Sequence, residues 1–133
     1  MQDIQKVVRT TPTTLSRPVG NYSHITIVPK NATIYTFSGQ IGTDGNGVIP
    51  IDFNQQVDNT FSNIAALLES QNLTEVDIIK VNIWATKEID WDYFDSVWRE
   101  FFKTGNPSMT VAYISALGLP EIDLEIEIWA AKV

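Results

Sequence analysis

The chain has no cysteine among its 133 residues. Disulfides, thiolate nucleophiles, Cys-ligated zinc and iron–sulfur clusters are therefore excluded. The absence fits a reducing compartment, and a cytoplasmic location is the expectation. Histidine is nearly absent too. His24 stands alone, with no Ser-His-Asp arrangement around it and no carboxylates at ligand spacing, so it reads as an exposed or structural residue. Basic residues are few: 9 Lys and Arg against 16 Asp and Glu give a net charge of −7. The positive residues are scattered, whereas phosphate binding draws on clustered Lys and Arg; no nucleic-acid partner is expected. No apolar run approaches membrane-spanning length, so no membrane partner is expected. The opening Met1-Gln2-Asp3-Ile4-Gln5-Lys6 lacks the apolar h-region of a secretory signal. Without such a signal, the sequons at Asn21, Asn31 and Asn72 carry no weight.

Motif absences narrow the chemistry further. There is no P-loop, no dinucleotide glycine motif, no nucleophile elbow and no zinc spacing. Asp44-x-Asn46 imitates the start of a calcium loop. Its sixth position is Ile49 and its twelfth Gln55, where glycine and glutamate are required. No metal and no organic cofactor is expected.

What is present is enough apolar residue, 44% of the chain, to build one core. A single domain over residues 1–133 is the expectation. Ile4 to Val8 reads as an edge strand and Thr10 to Pro18 as a loop. Alternation predicts strands over Tyr22 to Val28 and Thr33 to Ser38. Gly39 and Gly42 allow close backbone approach, and Thr43 to Gly47 makes a turn. Asp52 caps a helix whose apolar residues, Val57, Phe61, Ile64, Leu67 and Leu68, recur at helical spacing. Asn72 lies past its end. Asp77 to Trp84 reads as a buried strand. Asp90 caps a second helix with an aromatic stripe, Phe94, Val97, Trp98 and Phe101, which reads as core packing. That helix is expected to stop at Gly105. Asn106-Pro107 then turns stiffly into a strand from Ser108 to Ile114. In the last strand, Ile122 to Ala131, the apolar Ile122, Leu124, Ile126 and Ile128 alternate with Asp123, Glu125 and Glu127.

The expected architecture is α+β in the order β-β-β-α-β-α-β-β, two helices on one face of a mixed sheet. Two helices cover only one face of a six-stranded sheet, so the other face is expected to meet another subunit. Two chemical candidates emerge from the residues. Glu125 and Glu127 share a strand face and suit acid–base work if burial raises one pKa, or form a solvated acidic face if it does not. Ser38-Gly39 offers a hydroxyl and an unobstructed backbone N–H.

Several short stretches occur in a particular order. They are Gly20-Asn21-Tyr22-Ser23, Phe37-Ser38-Gly39-Gln40-Ile41-Gly42, Gln56 with Asn63-Ile64 seven residues on, and Asp77-Ile78-Ile79-Lys80-Val81. Phe101-Phe102, Pro107 and Leu124-Glu125-Ile126-Glu127-Ile128 complete the series. In this order they resemble the Rid family, also called YjgF-like or reactive intermediate deaminases and historically L-PSP endoribonucleases or translation inhibitors. The resemblance spans Arg17 to Ala131. It implies a chorismate-mutase-like fold and a homotrimer with ligand clefts between subunits. It also implies cofactor-free hydrolysis of reactive enamines and imines, such as 2-aminoacrylate, to 2-keto acids and ammonia.

Carried over by position, Tyr22, Ser38 and Gly39 match ligand-binding cleft residues, and Glu127 matches a catalytic residue that positions or activates water. Two positions depart from the pattern. Asp95 stands where active members carry asparagine, and Met109 stands where they carry arginine. A guanidinium there would clamp a substrate carboxylate bidentately; methionine brings neither charge nor donor. The expectation is a divergent member whose cleft takes a ligand less anionic than an imino acid, with hydrolysis weak or altered. The alternatives are an active imine/enamine deaminase, an RNA-acting protein and a partner-binding trimer with a vestigial cleft.

Overall fold

A computed structural model describes residues 4–133. Its centre is a five-stranded mixed sheet. The path runs β3 (Thr33–Thr36), β7 (Leu124–Lys132), β5 (Ile78–Ala85), β6 (Ser108–Tyr113), and the two-residue β4 (Gln40–Ile41) also pairs with β7. Only β5 and β6 are parallel; the helix α2 (Trp91–Phe102) connects them. The other helix, α1 (Phe53–Ser70), lies beside it. Both helices start where an aspartate is available to cap. Asp52 accepts from the Gln55 amide at 2.9 Å and Asp90 from the Tyr93 amide at 3.2 Å. α1 closes by way of Asn72 at φ 57°, a left-handed position that asparagine tolerates.

One side of the sheet and the two helices enclose the core. Along β7, Leu124, Ile126, Ile128 and Ala130 are buried, Glu125 and Glu127 are half-buried, and Trp129 is exposed. Residues paired across strands share a face, so Met109 joins Val81 and Ile128 on the helix side. Asn82, Thr110 and Glu127 lie on the opposite side. Phe61, Phe94, Trp98, Phe101 and Phe102 interlock between the helices, with centroids 4.4–6.4 Å apart. This aromatic stripe is core.

The α+β class holds, and several details differ from expectation. The first strand is β1 (Val8–Thr10), which shares only Val8 with the expected Ile4–Val8. Arg9 sets its place. The guanidinium donates to the Glu75 and Ile78 carbonyls at 2.6 and 2.9 Å and lies 5.6 Å from the Phe102 ring centroid. β1 and β2 (Ile25–Ile27) form a ribbon of their own, outside the main sheet. β2 reaches β6 through a side chain: Thr26 Oγ1 accepts from the Ser108 amide at 3.1 Å. The second helix ends at Phe102, short of Gly105, because Lys103 takes the left-handed φ of 61°.

Asp123 is not on the solvated face of the last strand. It precedes β7 and is buried, bound to Thr86 Oγ1 at 3.0 Å and Lys87 Nζ at 3.2 Å. Its amide donates to Gln56 Oε1 at 3.1 Å. The acid is thus part of a buried polar joint around Gln56, which also donates to the Pro50 and Glu121 carbonyls.

Candidate functional site

The turn into β6 is locked from two directions. The buried Trp98 indole donates to Asn106 Oδ1 at 2.9 Å, and the Ser23 hydroxyl donates to the Asn106 carbonyl at 2.7 Å. Pro107 adds a fixed φ. Together they hold Met109 at the start of β6, on the helix side of the sheet. There it lines a cavity of about 360 Å³ together with Tyr22, Trp91, Phe94, Asp95, Trp98 and Val111, and with the loop residues Val19 to Asn21. The loop carrying Tyr22 folds on itself: the Tyr22 hydroxyl accepts from the Val19 amide at 3.3 Å. Tyr22 also meets His24 edge-on, with centroids 5.5 Å apart. His24 lies outside the cavity lining and contacts the Ser16 carbonyl at 3.3 Å.

Glu127, and Gly39 through its contact with Glu125, lie on the other side of the sheet. Glu127 accepts from Asn82 Nδ2 at 3.0 Å. Gly39 is backed against Glu125 so closely that a methyl group there would sit 2.3 Å from Glu125 Oε2. Ser38 is exposed, and its carbonyl accepts from Gln40 Nε2 at 3.0 Å. Lys80 Nζ donates to Thr110 Oγ1 at 2.9 Å on the same face. Within one chain, then, Tyr22, Asp95 and Met109 come together, as do Gly39 and Glu125. The two groups occupy opposite faces of the sheet.

One contributor to the cavity, Trp91, escaped sequence reasoning. It was legible only as part of a helix start. Glu125 and Glu127 were legible as a pair on one face, but that Glu125 is the one against Gly39 is a tertiary contact made just before β4, which nothing local to either glutamate carries. Among the described residues, no group of three or more His, Cys, Asp and Glu is arranged to hold a metal. Among the described residues, no helix is long and apolar enough to cross a membrane either.

Comparison with known proteins agrees along nearly the whole chain. A family described as Endoribonuclease L-PSP matches residues 13–132. A RutC family protein of Aquifex aeolicus is 32% identical over 117 residues, covering 86% of this chain and 91% of that protein. A 2-iminobutanoate/2-iminopropanoate deaminase of Dermatophagoides farinae is 28% identical, over 76% of this chain and 78% of its own. In fold, the Rid protein YyfB of Yersinia pestis superposes with a TM-score of 0.83 at 20% identity, covering 94% of this chain and 98% of that one. This chain belongs to the L-PSP endoribonuclease family, the group also called RutC, YjgF-like or Rid.

Proposed function

We propose that the protein is a divergent Rid-family homotrimer whose small-molecule cleft is completed between neighbouring copies. Tyr22, Asp95 and Met109 of one copy would meet Ser38, Gly39 and the Glu125–Glu127 face of the next. The observation that carries this reading is the division of these residues between opposite faces of one sheet. A further support is the exposed apolar surface on the face without helices, where Ile34 is 48% and Trp129 40% exposed beside its polar residues. A cytoplasmic setting is part of the proposal and fits the cysteine-free composition.

In such a cleft a half-buried carboxylate would hold and polarise a water molecule. Glu127 is steadied for this by Asn82, and Glu125 is the nearer of the two to Ser38-Gly39. What the cavity lacks is a cation: among the described residues, no Lys, Arg or His lines it. Without a charge-assisted donor, a carboxylate ligand loses on the order of 1.5–3 kcal/mol, roughly tenfold to a hundredfold in affinity. Asp95 adds repulsion. The ligand is therefore less anionic than a 2-imino acid, and hydrolysis of such acids is weak.

The test is a coupled assay that generates 2-aminoacrylate and follows pyruvate release. The expected rate falls at least tenfold below that of an arginine-bearing relative. Equal rates would instead support the second reading, an active imine deaminase, which the Dermatophagoides farinae relative favours by its name. The RNA-acting reading suggested by the family's description has the charge of −7 against it. Salt-dependent RNA binding at physiological ionic strength would revive it.

A further inference from the structure

The cavity beside Met109 has a chemical character of its own. Its walls are aromatic: Tyr22, Trp91, Phe94 and Trp98 all reach it. Phe94 and Trp98 stack with centroids 6.2 Å apart, and Trp91 meets Phe94 edge-on at 5.5 Å. Trp91 remains 37% exposed, so its ring is available to a ligand. The Trp98 indole N–H is already spent on Asn106. Met109 contributes a polarisable thioether, a weak acceptor with nothing to donate. Among the described residues, the one charged residue of the lining is Asp95. It is half-buried and joins neither of the ion pairs among the described residues.

Among the described residues, this lining therefore holds one negative charge, four aromatic rings and a thioether, and no positive charge. An aromatic face attracts a cation, most strongly when the site excludes water. A carboxylate at the edge of an apolar cavity is stabilised by a charged N–H donor. A carboxylate ligand would find no charged donor in this lining. A neutral apolar ligand would strip water from Asp95 and leave it unpaired, which is costly. A ligand with a compact apolar body and an ammonium head satisfies walls and carboxylate together. At about 360 Å³ the cavity lies at the small end of ligand pockets, which span roughly 300–1,000 Å³.

We infer that this cavity binds a small organic ammonium ion, an alkyl- or arylalkylamine, with the amine at Asp95 and the carbon skeleton against Trp91 and Tyr22. The inference rests on the proposed reading of this cavity as the ligand site and names the charge class of its ligand. If Glu125 of a neighbouring copy completes the cleft, the site gains a second carboxylate and its preference for a cation strengthens.

The test uses three probes that share a phenyl ring and differ in head group: phenethylammonium, 2-phenylethanol and phenylacetate. Each is titrated calorimetrically into the full-length protein at neutral pH and low salt, after its oligomeric mass has been measured. Phenethylammonium is expected to bind on the order of tenfold more tightly than the alcohol, and phenylacetate more weakly still. Asp95→Asn should bring the ammonium down to the level of the alcohol and leave the alcohol unchanged. Asp95→Glu should restore part of the difference. Equal binding of ammonium and alcohol, or an unaltered ammonium affinity in Asp95→Asn, overturns the inference. Tightest binding by phenylacetate overturns it while keeping the cavity as the ligand site. Failure of all three probes in intact oligomer overturns both the inference and the reading on which it rests.

Discussion

Replacing Gly42 by alanine should damage the fold, whereas the same change at Gly39, three residues away across β4, should not. A methyl group at Gly42 would sit 2.6 Å from the Cα of Gln56 and 2.7 Å from its carbonyl oxygen, both backbone atoms of α1. Ordinary contact begins near 3.4 Å, so the helix would have to retreat by most of an ångström. It is not free to do so. Asn59 and Asn63 of α1 donate to the Gly42 and Ile41 carbonyls at 3.1 and 2.9 Å, and the Gln56 side chain is bound on three sides. Overpacking of this kind costs about 1–3 kcal/mol, and loosening the asparagine clamps adds about 1 kcal/mol each. We expect a loss of about 3 kcal/mol, a large part of the roughly 5–15 kcal/mol that holds a domain together. At Gly39 the obstacle is the movable end of the Glu125 side chain, so stability should change by less than about 1 kcal/mol while the carboxylate is displaced. Urea denaturation at equal protomer concentration measures both. A Gly42→Ala protein within about 0.5 kcal/mol of the parent would refute the close packing of β4 on α1.

Other outcomes follow from single side chains. Gln56→Leu should destabilise by about 3–5 kcal/mol in the same denaturation assay, because it strands the Pro50 and Glu121 carbonyls and the Asp123 amide in a buried joint. Tyr93 donates to Asp58 at 2.7 Å, and this hydrogen bond, the larger cause, holds the phenol above its ordinary 10.0. The raised value favours the neutral folded form, so this contribution is present below pH 10 and lost as pH rises through the folded value. Ultraviolet titration should show one late-ionising tyrosine that returns to normal in Asp58→Asn. The double change Met109→Arg with Asp95→Asn should create measurable calorimetric binding of a small 2-keto acid; no gain would count against the placement of these residues in a ligand cleft.

Elements set by local chemistry were readable in advance. Both helix caps, the aromatic stripe of α2, the alternation of β7 and the turn at Asn72 depend on residues a few positions apart. What could not be read depends on residues far apart in the chain. Arg9 places β1 by reaching carbonyls at Glu75 and Ile78. Thr26 replaces a backbone ladder between β2 and β6 with a hydroxyl. Asp123 continues the alternating pattern of the last strand, yet Gln56, Thr86 and Lys87 draw it inward. The site divides in the same way. Tyr22, Met109 and Asp95 could be nominated one by one, whereas their meeting at one cavity follows from the register that puts Met109 on the helix side and from the packing of α2 and the Tyr22 loop against it.

The claim that one cleft is built from two copies can be tested by cross-linking, since the absence of cysteine gives a clean background. Asp95→Cys, beside Met109, and Ser38→Cys, next to Gly39, combined in one chain, put one thiol in each of the two groups of residues. A short bismaleimide should then convert the protein to covalent dimers and trimers of the 14.9-kDa chain on a denaturing gel, while each single variant yields far less. A doubly substituted protein with the native mass of three chains that stays monomeric on the gel after treatment would contradict the shared cleft.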